Sequence, residues 1–136
     1  NTAKQPAKQH WRTYREERDA ETVPAYARFE IENRAYRWTN LQLPLYAWAL
    51  ETEFGPDVTL GYFNLPAIGT DTGVTPLDPF DREILEVALI CARGVVKDVR
   101  AGSFWPPRAK VDYDDFEGIL FGLPELTAAQ PGEEVA

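Results

Sequence analysis

Gln42 and Tyr46 stand four residues apart in the run Gln42-Leu43-Pro44-Leu45-Tyr46, a spacing that puts an amide and a phenol on one helical face. Neither group is a strong metal ligand or a general base at neutral pH. What they supply is hydrogen bonds that orient a neighbouring cation, water or phosphate. On spacing alone, a capping glutamine beside an ordinary core tyrosine is the reading that prevails. The remaining reactive side chains stand apart from one another. His10 is the sole histidine and Cys91 the sole cysteine, which excludes a multi-histidine or cysteine-cluster metal site and an internal disulfide. Ser103, the only serine, lacks the glycine-flanked elbow of a hydrolase nucleophile. Gly69 and Gly73 are followed by neither a lysine nor a helix start, so they make no phosphate loop. Asp112, Asp114, Asp115 and Glu117 lack the central glycine and distal glutamate of a calcium loop and are read as solvated surface. Intrinsic catalysis is not visible in these residues.

Charge is divided unevenly along the 136 residues, whose net charge is −8. Up to Asn40, the basic residues Lys4, Lys8, Arg12, Arg15, Arg18, Arg28, Arg34 and Arg37 outnumber Glu16, Glu17, Asp19, Glu21, Glu30 and Glu32; acidic residues dominate the remainder. Nucleic-acid affinity grows with the number of phosphates neutralised, so only this first segment offers a polyanion-binding face. The plainer reading makes its cations solvated partners of its own acids. At 44% hydrophobic the chain has enough apolar surface for one core, and no apolar run is long enough to span a membrane. The single cysteine and the lack of a visible signal segment lead to a cytoplasmic expectation. The absence of methionine marks Asn1 as the start of a processed or excised chain.

The elements that must position these groups follow from periodicity. Asn1 to Glu21 reads as a weak helix or ordered loop, with Trp11 and Tyr14 its only large apolar side chains. Alternation over Tyr26 to Ile31 predicts a strand, Glu32-Asn33-Arg34 a turn, and Ala35 to Trp38 a partner strand. Thr39 and Gln42 have capping-box spacing, so a helix starts there and ends at Gly55-Pro56, with Pro44 near its first turn. Val58 to Leu65 reads as a strand, and Ala67 to Leu77 as a loop. The clearest helix spans about Pro79 to Ala101, capped by Asp78 and stopped by Gly102. Its buried stripe is Ile84, Leu85, Ala88, Cys91, Ala92, Val95 and Val99, and Gly94 implies a close neighbour. Phe104-Trp105-Pro106-Pro107 is expected to pack on the core, or else to serve as a proline-rich ligand. Tyr113 to Leu120 reads as a short helix, and residues 124–136 as an acidic tail with the composition of disorder.

The block Arg37-Trp38-Thr39-Asn40-Leu41-Gln42-Leu43-Pro44-Leu45-Tyr46 closely resembles the Gln-x-x-x-Tyr region of RecB-like nucleases of the PD-(D/E)XK superfamily. The flanking strand at Phe29 to Ile31, the segment Val58 to Leu65, the long helix, and Phe104-Trp105-Pro106-Pro107 before Tyr113 and Phe116 extend that resemblance from about Ala7 to Gly122. It implies an α/β chain, the distal part of a restriction-endonuclease-like fold with short strands flanked by helices. Residues 1–123 then form a partial nuclease domain that acts in DNA repair or recombination. In the family, an aspartate and an acidic-x-lysine pair hold magnesium or manganese and position water. No Asp-x-Lys stands in this chain, and the segment opening at Asn1 is similar to sequence just after the lysine strand. The resemblance therefore implies no catalytic or metal residue here. Gln42 and Tyr46 support the active site, and Lys4, Lys8, Arg12, Arg15 and Arg18 contact DNA through the complete domain. Magnesium or manganese belongs to that complete domain, and no iron–sulfur cluster is expected, because Phe104 to Gly122 contains no cysteine. A scaffold domain that kept the fold without its metal site is the alternative, and an acidic mimic of DNA a third. An active-site role requires Gln42 and Tyr46 to share a partly accessible face directed toward the segment with Lys4 and Lys8.

Overall fold

Alternating side chains over residues 28–38 fold into a hairpin of β2 (Arg28–Ile31) and β3 (Arg34–Trp38), with Ile31 paired to Arg34 across the turn. Both turn residues are left-handed, Glu32 at φ 49° and Asn33 at φ 61°. This is the two-residue geometry whose twist matches that of the flanking strands. The computed structural model describes residues 7–65 and 72–104; among them the chain is mixed α and β, with four α-helices and two small antiparallel sheets. Asn1–Gly94 and Val95–Ala136 are separate compact units.

Where the sequence suggests only a weak helix or loop before Glu21, α1 (Ala7–His10) leads directly into a strand, β1 (Trp11–Thr13), and then α2 (Glu16–Asp19). Three residues are too few to show a strand period. The strand exists because tertiary contacts favour it: β1 pairs with the free side of β3, setting Trp11 opposite Trp38 in the order β1-β3-β2. Trp11 meets Trp38 and Phe29 edge-on at 5.4 and 5.9 Å, and Phe29 stacks on Trp38 at 4.5 Å. Such ring pairs add about 0.5–1.5 kcal/mol each beyond the area they bury.

The central helix α3 runs from Gln42 to Phe54 and stops where Gly55 turns to φ 82°. Pro44 is its third residue, whose N–H would have had no acceptor within the helix, and it is buried. The expected capping box does not form. The Thr39 hydroxyl donates to the Gln9 carbonyl at 3.0 Å, and the Asn40 side chain accepts the Gln42 N–H at 2.7 Å. Downstream, β4 (Gly61–Asn64) pairs antiparallel with β5 (Gly73–Pro76). The second strand corrects the loop expected over Ala67 to Leu77. Composition hid it, because glycine and proline lie at its ends and Thr75 serves the ladder, its hydroxyl accepting from the Asn64 amide at 2.7 Å.

The last helix, α4 (Arg82–Arg100), starts three residues later than Asp78-Pro79 suggests, because Asp81 is the cap: its carboxylate accepts the Ile84 N–H at 2.9 Å. Within the first unit α4 presents Ile84, Leu85, Ala88 and Cys91 to a core that also holds Ala47, Leu60 and Leu77. Burial pushes the Cys91 thiol up to about 11, which makes it an unreactive packing residue. Gly94 lies against Tyr26, and a Cβ added there would fall into the phenol ring. Gly94→Ala should therefore cost about 1–3 kcal/mol through displacement of Tyr26, read as a lower urea midpoint at unchanged slope.

In the second unit the described residues are 95–104. Val95 and Val99, expected to be buried, are 44% and 54% exposed. Periodicity marks a face of a helix but not how far its neighbours reach along it. Gly102 at φ 69° stops α4 as expected, with the Ser103 N–H donating to the Asp98 carbonyl at 2.9 Å. Phe104 is exposed rather than packed on the core. Trp105-Pro106-Pro107, the segment Tyr113 to Leu120, the acidic tail and Lys4 lie outside the described residues.

Candidate functional site

Gln42 opens α3, and its side chain donates from Nε2 to the Tyr46 hydroxyl at 2.9 Å, while the Thr39 N–H that a capping glutamine would bond goes to the His10 carbonyl at 2.8 Å. Both residues are exposed, Tyr46 by 51%, so the pair shares one accessible helical face. This bond fixes the polarity of what remains. Its acceptor is the phenol oxygen, which leaves the Tyr46 O–H free to donate outward and the Gln42 Oε1 free to accept. Side by side, the pair presents one acceptor suited to an ammonium and one donor suited to a phosphate oxygen or water. It holds no charge and has no group able to accept a proton at neutral pH.

The start of α3 is pinned from below by His10, which is fully buried. Its carbonyl accepts the N–H groups of Thr39 and Asn40 at 2.8 and 3.2 Å. Its ring makes two more bonds. Nδ1 lies 2.9 Å from the Asn40 carbonyl, which can only accept, so Nδ1 carries the proton; Nε2, 3.0 Å from the Tyr62 hydroxyl, then accepts. Desolvation lowers the pKa of the ring and keeps it neutral. Sequence reading assigned His10 no role because a lone histidine has no spacing partner to identify it.

The basic residues of the first segment separate into two sets. Arg12 faces Arg37 across β1 and β3, and Arg37 faces Arg28 across β3 and β2, a row of like charges that by itself opposes pairing. Asp19 offsets it. Its carboxylate, 5% exposed, takes two hydrogen bonds from Arg18, each 2.7 Å, and one from the Arg15 backbone N–H at 2.9 Å, with Arg37 Nε 3.7 Å away. The Arg18 hydrogen bonds, aided by the Arg15 N–H and the Arg18 and Arg37 charges, hold the Asp19 carboxyl down to about 2 against the opposing effect of burial. Arg28 donates to the Val23 and Ala20 carbonyls and lies 4.7 Å over the Tyr14 ring. Arg18, Arg28 and Arg37 therefore brace the fold. The side chains of Lys8, Arg12, Arg15 and Arg34 are exposed and make no hydrogen bond or ion pair among the described residues, so in this segment they are the cations left for a ligand, Arg34 at the β2–β3 turn and the other three before α2.

No group of three or more His, Cys, Asp and Glu is placed to hold a metal ion among the described residues, and the donor set of Gln42 and Tyr46 does not fit magnesium, which takes carboxylates. Also among the described residues, no helix is long and apolar enough to cross a membrane. No family model matches the chain, and comparison with curated proteins and with solved structures gives no match either.

Proposed function

We propose that this chain is the distal part of a RecB-like nuclease domain of restriction-endonuclease-like fold, and that its Gln42–Tyr46 pair supports the active site of metal-dependent phosphodiester hydrolysis. The observation that carries the reading is the Nε2-to-hydroxyl bond at 2.9 Å on an exposed face, with the Thr39 N–H that a capping glutamine would bond taken instead by the His10 carbonyl. A core tyrosine beside a capping glutamine would have been buried and locally satisfied. The pair instead holds an acceptor and a donor outward, as a group that steadies a catalytic ammonium and the scissile phosphate must. The carboxylates and lysine that would hold the metal belong to upstream strands of the same polypeptide, and no chemical step is assigned to the residues of this chain. The reaction class is tested by assaying the polypeptide with and without those strands for DNA cleavage.

DNA contact falls on the cations that the fold leaves free. Arg12→Gln with Arg15→Gln should reduce the slope of log affinity against log salt by about 2 for duplex DNA bound to the complete domain, since each phosphate contact contributes about 0.9. Arg18→Gln should act chiefly on stability, because that side chain belongs to Asp19. Fluorescence anisotropy across a salt series reads both. An unchanged slope in the double variant would move the phosphate contacts elsewhere.

A further inference from the structure

We infer that His10 is the positioning residue of the Gln42–Tyr46 pair, setting through its Nδ1 hydrogen bond where the first turn of α3 begins. The inference rests on the reading of that pair as functional, but it concerns geometry and is tested without activity. Five hydrogen bonds converge on residues 39–42. Two backbone N–H groups reach the His10 carbonyl, the Thr39 hydroxyl reaches the Gln9 carbonyl, the His10 ring reaches the Asn40 carbonyl, and the Asn40 side chain caps Gln42. Only the ring bond fixes the orientation of the Asn40 carbonyl from a fully buried side chain, and Asn40 carries the side-chain oxygen that holds the Gln42 N–H at the head of the turn from which Gln42 reaches Tyr46. Tyr62 on β4 holds the ring from its far side at Nε2, so the far sheet sets the tilt of the imidazole, and the imidazole sets Asn40. A buried ring with both nitrogens satisfied has one rotamer and one tautomer available, which is what a positioning group needs.

The two ring nitrogens can be tested separately, because an asparagine amide retains a donor near Nδ1 and a glutamine amide reaches toward Nε2. NMR of the 136-residue chain, with the Gln42 side-chain amide and the Tyr46 ring carbons assigned, reads the pair directly. His10→Asn keeps the donor near Nδ1 and loses the Nε2 bond, so it should shift both sets of signals no further than Tyr62→Phe does. His10→Gln should move the Tyr46 signals to those of Gln42→Ala and the Gln42 signals to those of Tyr46→Phe, while the β2–β3 amides stay in place. Should His10→Gln fail to fold, Tyr62→Phe removes only the Nε2 bond and should produce a smaller shift in the same direction. Unmoved Gln42 and Tyr46 signals in folded His10→Gln or in Tyr62→Phe, or equal displacement in the asparagine and glutamine variants, would overturn the inference and leave His10 a packing residue. None of these outcomes touches the nuclease reading, which is decided by cleavage.

Discussion

Asp19→Asn should lower the stability of the chain by on the order of 3 kcal/mol, the largest effect expected of any single polar substitution among the described residues. An asparagine keeps the shape but not the charge. It leaves Arg18 without its paired carboxylate, Arg37 without the counter-charge 3.7 Å away, and the Arg12–Arg37–Arg28 row with only the exposed Glu16, 3.9 Å from Arg28, to offset it. The same carboxylate makes stability depend on acid. Its folded pKa of about 2 lies below its ordinary 3.8, so the folded state resists protonation more than the unfolded chain does. The contribution is complete above the ordinary value and is lost as pH falls through the window down to about 2. His10 adds to the acid side in its own window. A folded pKa below 6.5 means that the unfolded chain takes the proton first, so stability declines as pH falls below 6.5. Urea midpoints measured from pH 7 to pH 3 should therefore fall less steeply below pH 4 in Asp19→Asn than in the parent. A loss under about 1 kcal/mol at pH 7 would show that Asp19 is an ordinary surface acid.

Gln42→Ala in a polypeptide that carries the proposed upstream strands should slow DNA cleavage about 10–100-fold while leaving the urea midpoint within about 0.5 kcal/mol of the parent. The loss is partial because an amide orients and does not exchange protons. The fold is spared because Gln42 is exposed and its N–H is capped by the Asn40 side chain whatever residue stands at 42. Tyr46→Phe keeps the ring and removes the outward donor, so it should fall in the same range. Equal rates for parent and Gln42→Ala would remove the pair from the active site.

Long-period features were legible before any coordinates. The β2–β3 alternation, the Glu32-Asn33 turn, the body of α3 and the core face of α4 up to Cys91 each repeat over several residues and are imposed locally. Strand β1 and strand β5 were not, because one is three residues of tertiary pairing and the other is four residues flanked by glycine and proline. Caps failed for a related reason. Thr39 and Asp78 have suitable chemistry, yet the side chains of Asn40 and Asp81 accept the first-turn N–H groups, and which of two nearby candidates does so depends on where the chain enters the helix. Spacing and resemblance single out Gln42 and Tyr46, which the structure joins by a hydrogen bond. The role of His10 is not legible, since its partners Asn40 and Tyr62 lie on elements brought together only by folding, and the burial of Asp19 beside Arg37 is hidden for the same reason although its partners Arg18 and Arg15 are local.

The central claim is that this chain holds the supporting half of a metal-dependent nuclease site. The most direct measurement compares magnesium- and manganese-dependent hydrolysis of linear DNA by the 136-residue chain and by a longer polypeptide that carries the proposed upstream strands. The account predicts no hydrolysis by the chain alone. It predicts metal-dependent cleavage by the longer polypeptide, abolished when its acidic-x-lysine residues are replaced. Metal-dependent cleavage by the isolated chain that survives repurification and ignores Gln42→Ala would contradict it, as would a longer polypeptide, folded and loaded with metal, that leaves DNA intact.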